Sequence, residues 1–194
     1  MRTARLIFAV LVCVFAFVIT GSNVTAGAQS LEETYNATLD AYNQTLNQLE
    51  ACDQSFEGFQ KFFKENRPKA DAPKEDWDNW AKAYRFWVDI YTGCMRSLKK
   101  KADDLKAKLA ELQKQLDTIS AEPERKAPPP KGADDKKKKA QDLLKKGTTD
   151  LREWTLSVRL KIRAVNGMSR EASDEVKKHG SGAVKIEVSF KFDF

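Results

Sequence analysis

The sequence is short of the residues that most often carry chemistry. Its 194 residues contain one histidine, His179, and three cysteines. With Cys13 inside an expected leader and Cys52 and Cys94 expected to pair with each other, His179 is left alone, and a zinc site of the usual Cys/His kind is not available. No glycine-rich phosphate loop, nucleophile elbow or metal-spaced His/Glu pair appears. The acidic residues Asp103, Asp104 and Glu111 alternate with lysines, as on an ordinary solvated helix face. His179 sits in Lys-Lys-His-Gly, where a cation at a helix end is favourable in itself. These absences argue against an enzyme, and no catalytic residue, cofactor or small-molecule substrate is expected. Long hydrophobic runs are equally scarce, with one at the N-terminus and none afterwards.

That one run defines the expected compartment. Arg2 and Arg5 precede an unbroken apolar block, Leu6 to Ile19, and the small-residue stretch Val24-Thr25-Ala26-Gly27-Ala28 follows. Positive charge, apolar block and an A-x-A-like end, in that order, make a secretory signal over residues 1–28. The block is shorter than the roughly 20 residues of a bilayer-spanning helix. Cys13 would leave with the leader, so Cys52 and Cys94 remain, and two cysteines in an oxidising compartment predict a disulfide. The expected location is extracellular, or periplasm or outer membrane in a bacterium.

About 165 residues then remain, enough for one domain. The chain is 41% hydrophobic and 32% charged. Its formal charge of +6 loses Arg2 and Arg5 to become +4. So weak a charge on an exported chain does not point to nucleic acid.

Two helical stripes dominate residues 29–121. Leu31, Tyr35, Leu39, Tyr42, Leu46, Leu49, Cys52, Phe56, Phe59 and Phe63 recur at steps of three or four. Ser30 with Glu33 fits a capping box at the start, and Asn66-Arg67-Pro68 marks the stop. The second stripe runs Trp77, Trp80, Tyr84, Trp87, Tyr91, Cys94, Leu98, Ala102, Leu105, Leu109, Leu112, Leu116, Ile119. Its mean step of about 3.5 is that of a left-handed supercoiled seam. Asp71 or Ala72 can cap it, with Pro73 tolerated in the first turn. Both cysteines lie on their stripes, and setting Cys52 opposite Cys94 in an antiparallel hairpin brings Leu46 near Ala102, Tyr42 near Leu105 and Tyr35 near Leu112. In this register the second helix overhangs the first on the loop side, and part of Asp76–Tyr84 is expected to fold over the tip.

Residues 122–147 read as a flexible basic linker, with Pro123, Pro128-Pro129-Pro130 and Lys136–Lys139, followed by a short helix over Asp134–Lys146 that ends at Gly147. Residues 148–194 read as a β-rich tail. Trp154, Leu156, Val158, Leu160 and Ile162 alternate with polar residues, the period of a half-buried strand. A helical face through Leu151, Trp154, Val158, Ile162 and Val165 is the rival, and we favour the strand. Ser169–His179 reads as a short helix. Val184, Ile186, Val188, Phe190, Phe192 and Phe194 alternate again, as a second strand. The fold class expected is therefore mainly α, α+β overall: a long helical hairpin, a Pro/Lys linker and a small two-stranded β element.

Three surface features could carry a binding function. Phe62, Trp77, Trp80, Phe86 and Trp87 cluster at the loop end of the hairpin, as a contact patch for a partner or a membrane surface. Asn36-Ala-Thr38 and Asn43-Gln-Thr45 are N-glycosylation sequons seven residues apart. The terminal pattern Phe194, Phe192, Phe190, Val188, Ile186, Val184 resembles the closing strand of bacterial outer-membrane barrel proteins. That resemblance implies recognition by barrel-assembly machinery and an assembly in which several chains contribute strands. The leading expectation is a secreted, non-enzymatic binding or structural protein that meets a protein partner or another copy of itself. The alternative is a subunit of an outer-membrane or pore-type assembly built through the C-terminal strands.

Overall fold

Apolar stripes at helical spacing are useful only if something covers them, and here each of three long helices covers the other two. The computed structural model describes residues 26–121 and 132–187. They form α1 (Ala26–Glu65), α2 (Lys74–Ala121) and α3 (Ala133–His179). α1 stops two residues before Arg67-Pro68, because proline lacks an N–H and biases the residue before it away from helical backbone. A tight turn follows, in which the Ala72 N–H donates to the Lys69 carbonyl at 2.9 Å. Pro73 then leads into α2, its carbonyl accepting from the Asp76 N–H at 3.0 Å. Glu75 and Asp76 in the first turn of α2 complement its dipole. At the start of α3 Gly132 takes a left-handed φ of 89°, Asp134 and Asp135 occupy the first turn, and Lys177, Lys178 and His179 occupy the last.

α1 and α2 run antiparallel. Thr38 approaches Lys108, Thr45 approaches Lys101, and Phe59 and Tyr84 rings lie 5.2 Å apart. The Cys52–Cys94 disulfide lies between these pairs. α3 returns parallel to α1: Lys136 meets Glu32, Asp150 meets Tyr42, Lys161 meets Asp53 and Arg67 meets Glu171. Against α2 it is antiparallel, with Gly147 by Leu109, Ser169 by Tyr84 and His179 by Trp77.

Two core clusters stack along the bundle. One, aliphatic, joins Leu31 and Tyr42 to Leu105, Leu109, Leu112 and Leu143. The other, aromatic, surrounds the disulfide and extends to the α1–α2 turn, joining Phe56, Phe59, Phe63, Trp77, Trp80, Tyr84 and Tyr91 to Val158, Ile162, Val165 and Val176. Trp154 packs against both.

The structure corrects several expectations. The strand expected over Trp154–Ile162 is helix, within α3. Its alternating apolar residues split between two sides: Val158 and Ile162 are buried, whereas Leu156 and Leu160 are exposed. The stretch satisfied both periods, and packing against α1 and α2 selected the helical one. The short helix expected to end at Gly147 instead continues through it, so the boundary drawn between 147 and 148 falls inside α3. Gly147 is buried because the helices approach closely there. A Cβ at that position would meet Leu109 Cδ2 at 2.9 Å. Lys136–Lys139 belong to α3 and not to an extended linker, and Ser169–His179 is its last three turns. α1 begins at Ala26, ahead of the Ser30 cap.

No strand occurs among the described residues. Val184 and Ile186 are buried in the aromatic cluster without regular secondary structure, and the remainder of the expected second strand, 188–194, lies outside the described residues. So do the proline run at 128–130 and all of the expected leader except Ala26–Ala28. The overhang of α2 does not fold over the turn: α2 runs straight on from Lys74, and the end of α3 with Val184 and Ile186 covers Trp77.

Candidate functional site

The cysteines come together because α1 and α2 each place one on the buried side of the seam. Their Cα atoms are 5.6 Å apart across a sequence separation of 42. Cys52 is fully buried. Gln48, one turn earlier, directs its amide N–H to Cys94 Sγ at 3.3 Å and accepts from the Ser97 hydroxyl at 3.1 Å. The sulfurs are thus enclosed by core and by one amide, an arrangement suited to bracing rather than to thiol exchange.

From the disulfide toward the turn the core becomes aromatic. Phe56 lies 5.6 Å from Tyr91, Phe63 lies 5.9 Å from Trp80, and Trp77 meets Trp80 edge-on at 5.8 Å. The Tyr84 hydroxyl bonds Ser169 at 2.8 Å, and burial pushes its pKa up to about 12. Burial raises Tyr91 in the same sense. The end is closed from α3. His179 stacks on Trp77 at 4.9 Å, and Arg67 reaches Glu171 at 2.5 Å and Glu175 at 3.0 Å. Asp78 accepts from both the backbone and the hydroxyl of Ser181. A cleft of about 690 Å³ remains beside the turn, between Phe62 and Trp80 on one side and Arg67, Asp71, Asp76 and Asn79 on the other.

This packing divides the expected contact patch. Trp77 and Trp80 are core residues, 1% and 4% exposed. Phe62 and Trp87 are half-buried with their rings 6.1 Å apart. Trp87 lies across α1 at Gly58, where a Cβ would come within 3.2 Å of the indole. Phe86 alone of the five stands out, at 62% exposed, and Ile90 one turn further on α2 is 40% exposed. Ile90 was not singled out from the sequence, and Leu156 and Leu160 on α3, read there as the apolar face of a strand, are exposed. The signal that marks all four is phase: each is an apolar residue off the buried stripe of its own helix, paired with another at i,i+4.

Both sequon asparagines, Asn36 and Asn43, are exposed on one flank of α1. Their threonines face the other way. Thr38 and Thr45 are fully buried and donate to the Thr34 and Ala41 carbonyls, each at 2.7 Å. Thr45 also lies 3.1 Å from the Lys101 carbonyl of α2. Packing by itself therefore accounts for both threonines.

Among the described residues no group of three or more His, Cys, Asp or Glu side chains is placed to hold a metal ion. No helix among them is long and apolar enough to cross a membrane. No protein-family model, curated protein or solved structure matches the chain.

Proposed function

We propose that this chain is a secreted, non-enzymatic binding or structural protein, a disulfide-braced helical hairpin backed by α3, that engages a protein partner through its helix surfaces. The observation that carries this reading is the pair Phe86 and Ile90. A phenylalanine 62% exposed beside an isoleucine 40% exposed is an apolar contact held one turn apart on a helix that the disulfide and α3 keep rigid. Exposed aromatic rings on preorganised helices are what interface hot spots are made of, because little side-chain entropy is lost when they are covered. The N-terminal leader and the single cysteine pair support an oxidising compartment for that encounter.

A photo-crosslinking residue placed at 86 in the producing cell tests the reading. A discrete crosslinked partner, recovered in medium or periplasm, is the expected result. Phe86→Ala with Ile90→Ala should weaken that partner's binding by about tenfold or more, the loss typical of one to two interface anchors. The same change should leave the melting temperature nearly unchanged, because both side chains are surface residues. A detergent-dependent, heat-modifiable oligomer in the membrane fraction would instead favour the pore-type assembly.

A further inference from the structure

The cleft beside the α1–α2 turn and the Phe86–Ile90 pair lie on one side of α2. Asn79 and Ala83 line the cleft, and Phe86 and Ile90 stand seven residues on from them. Seven residues are two helical turns, about 10.5 Å, so each residue shares its side of the helix with the one a step beyond. One further step from Ile90 is Ser97, which bonds Gln48 of α1 at 3.1 Å, so the row runs along the α1 side of α2. Phe62 of α1 joins the two ends. It lines the cleft, and its ring lies 6.4 Å from Trp80 and 6.1 Å from Trp87. The cleft is therefore continuous with the exposed apolar pair.

Its charges are unevenly matched. Arg67, Lys69, Asp71 and Asp76 line it. Arg67 is held by Glu171 and Glu175 together, one guanidinium between two carboxylates. Asp71 and Asp76 are exposed and make no ion pair with another described residue. Arg67 and Lys69 thus stand against Asp71, Asp76, Glu171 and Glu175, which leaves the cleft negative in a chain of formal charge +6. The facing wall is aromatic. Trp80 in that wall is 4% exposed, and its indole N–H has no hydrogen-bond partner. A buried donor without an acceptor is unfavourable until one arrives.

We propose that this cleft receives a lysine or arginine side chain of the protein partner whose apolar residues cover Phe86 and Ile90. The cation lies against the Phe62 ring, whose face attracts positive charge, with Asp71 and Asp76 as its counter-charges. A main-chain carbonyl of the same residue supplies the acceptor that the Trp80 N–H lacks. An acidic side chain would meet two unpaired carboxylates, and an apolar one would cover them unpaired. The seven-residue step sets the basic residue about 10.5 Å from the partner's apolar anchors. The inference rests on reading the protein as a binding protein anchored at Phe86 and Ile90, and it adds the chemistry of the partner.

The test uses the purified protein with its disulfide intact, isotope-labelled for amide NMR, and N-acetyl-arginine N-methylamide as the probe. The probe should shift the Trp80 indole N–H and the amides of Asp71 and Asp76 saturably, whereas the norleucine and glutamate analogues should not. Affinity should fall as sodium chloride rises from about 50 to about 200 mM. Asp71→Asn with Asp76→Asn should weaken binding at least tenfold, and Phe62→Leu several-fold, with Phe86→Ala leaving it unchanged. Both aspartates are exposed, so the double variant should keep the parent's melting temperature. Equal shifts from the norleucine or glutamate analogue, no saturable shift from the arginine probe, or binding that survives in the double variant would overturn the proposal. Equally tight binding of butane-1,4-diamine, which has no carbonyl, would overturn the assignment to a protein. Crosslinks from residue 86 report the wider reading separately. A cleft that ignores the arginine probe while those crosslinks persist ends this proposal alone, and a cleft that binds it while they are absent ends the wider reading.

Discussion

Removing the Cys52–Cys94 bond, as Cys52→Ala with Cys94→Ala, tests the architecture at its most constrained point. The bond closes a loop with a sequence separation of 42. In the chain-entropy description, cross-linking a loop of this size takes about 4 kcal/mol of freedom from the unfolded chain. Domains of this size are typically stable by about 5–15 kcal/mol, so the variant should stay folded at room temperature with a much thinner margin. Near 150–250 residues each kcal/mol moves the melting temperature by about 2–4 °C, which places the expected drop at about 8–16 °C. Folding should survive because the seam does not depend on the bond. Phe59 with Tyr84 on one side of it, and Thr45 with Lys101 on the other, hold α1 and α2 in the same register. The assay is urea unfolding followed by helical circular dichroism, comparing the variant with the oxidised parent. The midpoint should fall, with some change in slope because the uncrosslinked chain unfolds to a more expanded state. Unchanged stability would refute the reasoning. So would free thiols at both cysteines in protein purified without reductant, seen by mass spectrometry.

Two further outcomes are expected. Phe59→Ala should cost about 3–5 kcal/mol, because the ring is fully buried between α1 and α2, whereas Phe86→Ala should stay within about 0.5 kcal/mol; paired urea titrations check the contrast. Alkaline pH should weaken the fold: burial raises Tyr84 from its ordinary value near 10 to about 12, so its neutral form stabilises the fold fully below pH 10. That stability is lost as pH rises from 10 toward 12, at about 1.4 kcal/mol per pH unit, with Tyr91 acting in the same direction. Urea midpoints should therefore fall between pH 10 and pH 12, and Tyr84→Phe should make that fall shallower; a midpoint that does not change over this range would contradict this.

Much of the first two helices was legible in the residues themselves. Stripes of three- and four-residue steps over 31–63 and 77–119 have no competing period, and Pro68 and Pro123 bound them. The third helix was not legible in the same way. Between Trp154 and Ile162 apolar residues occupy every second position, while Leu151, Trp154, Val158, Ile162 and Val165 also share a helical face. Gly147, which looked like a stop, is a contact point that only the neighbouring Leu109 explains. The aromatic patch failed in part for a related reason. Trp77 and Trp80 are buried because His179, Val176, Val184 and Ile186, from a segment read as strand and short helix, join the same cluster.

What the sequence determined by itself was therefore local and pairwise: the periods of α1 and α2, the break between them at Pro68, and the two stripe cysteines, Cys52 and Cys94, that meet across the seam. These follow from backbone sterics and side-chain spacing, which need no third partner. Tertiary structure decided the rest. Whether Leu156 is buried in a sheet or exposed beside a groove depends on which period the chain adopts, and both periods fit the same residues. The tie breaks because α3, lying along the hairpin as a helix, buries Val158, Ile162 and Val165 together in the cluster that holds Cys52 and Phe56 of α1 and Met95 and Leu98 of α2. That choice turned an expected strand into the wall of the bundle and left its off-phase leucines on the surface.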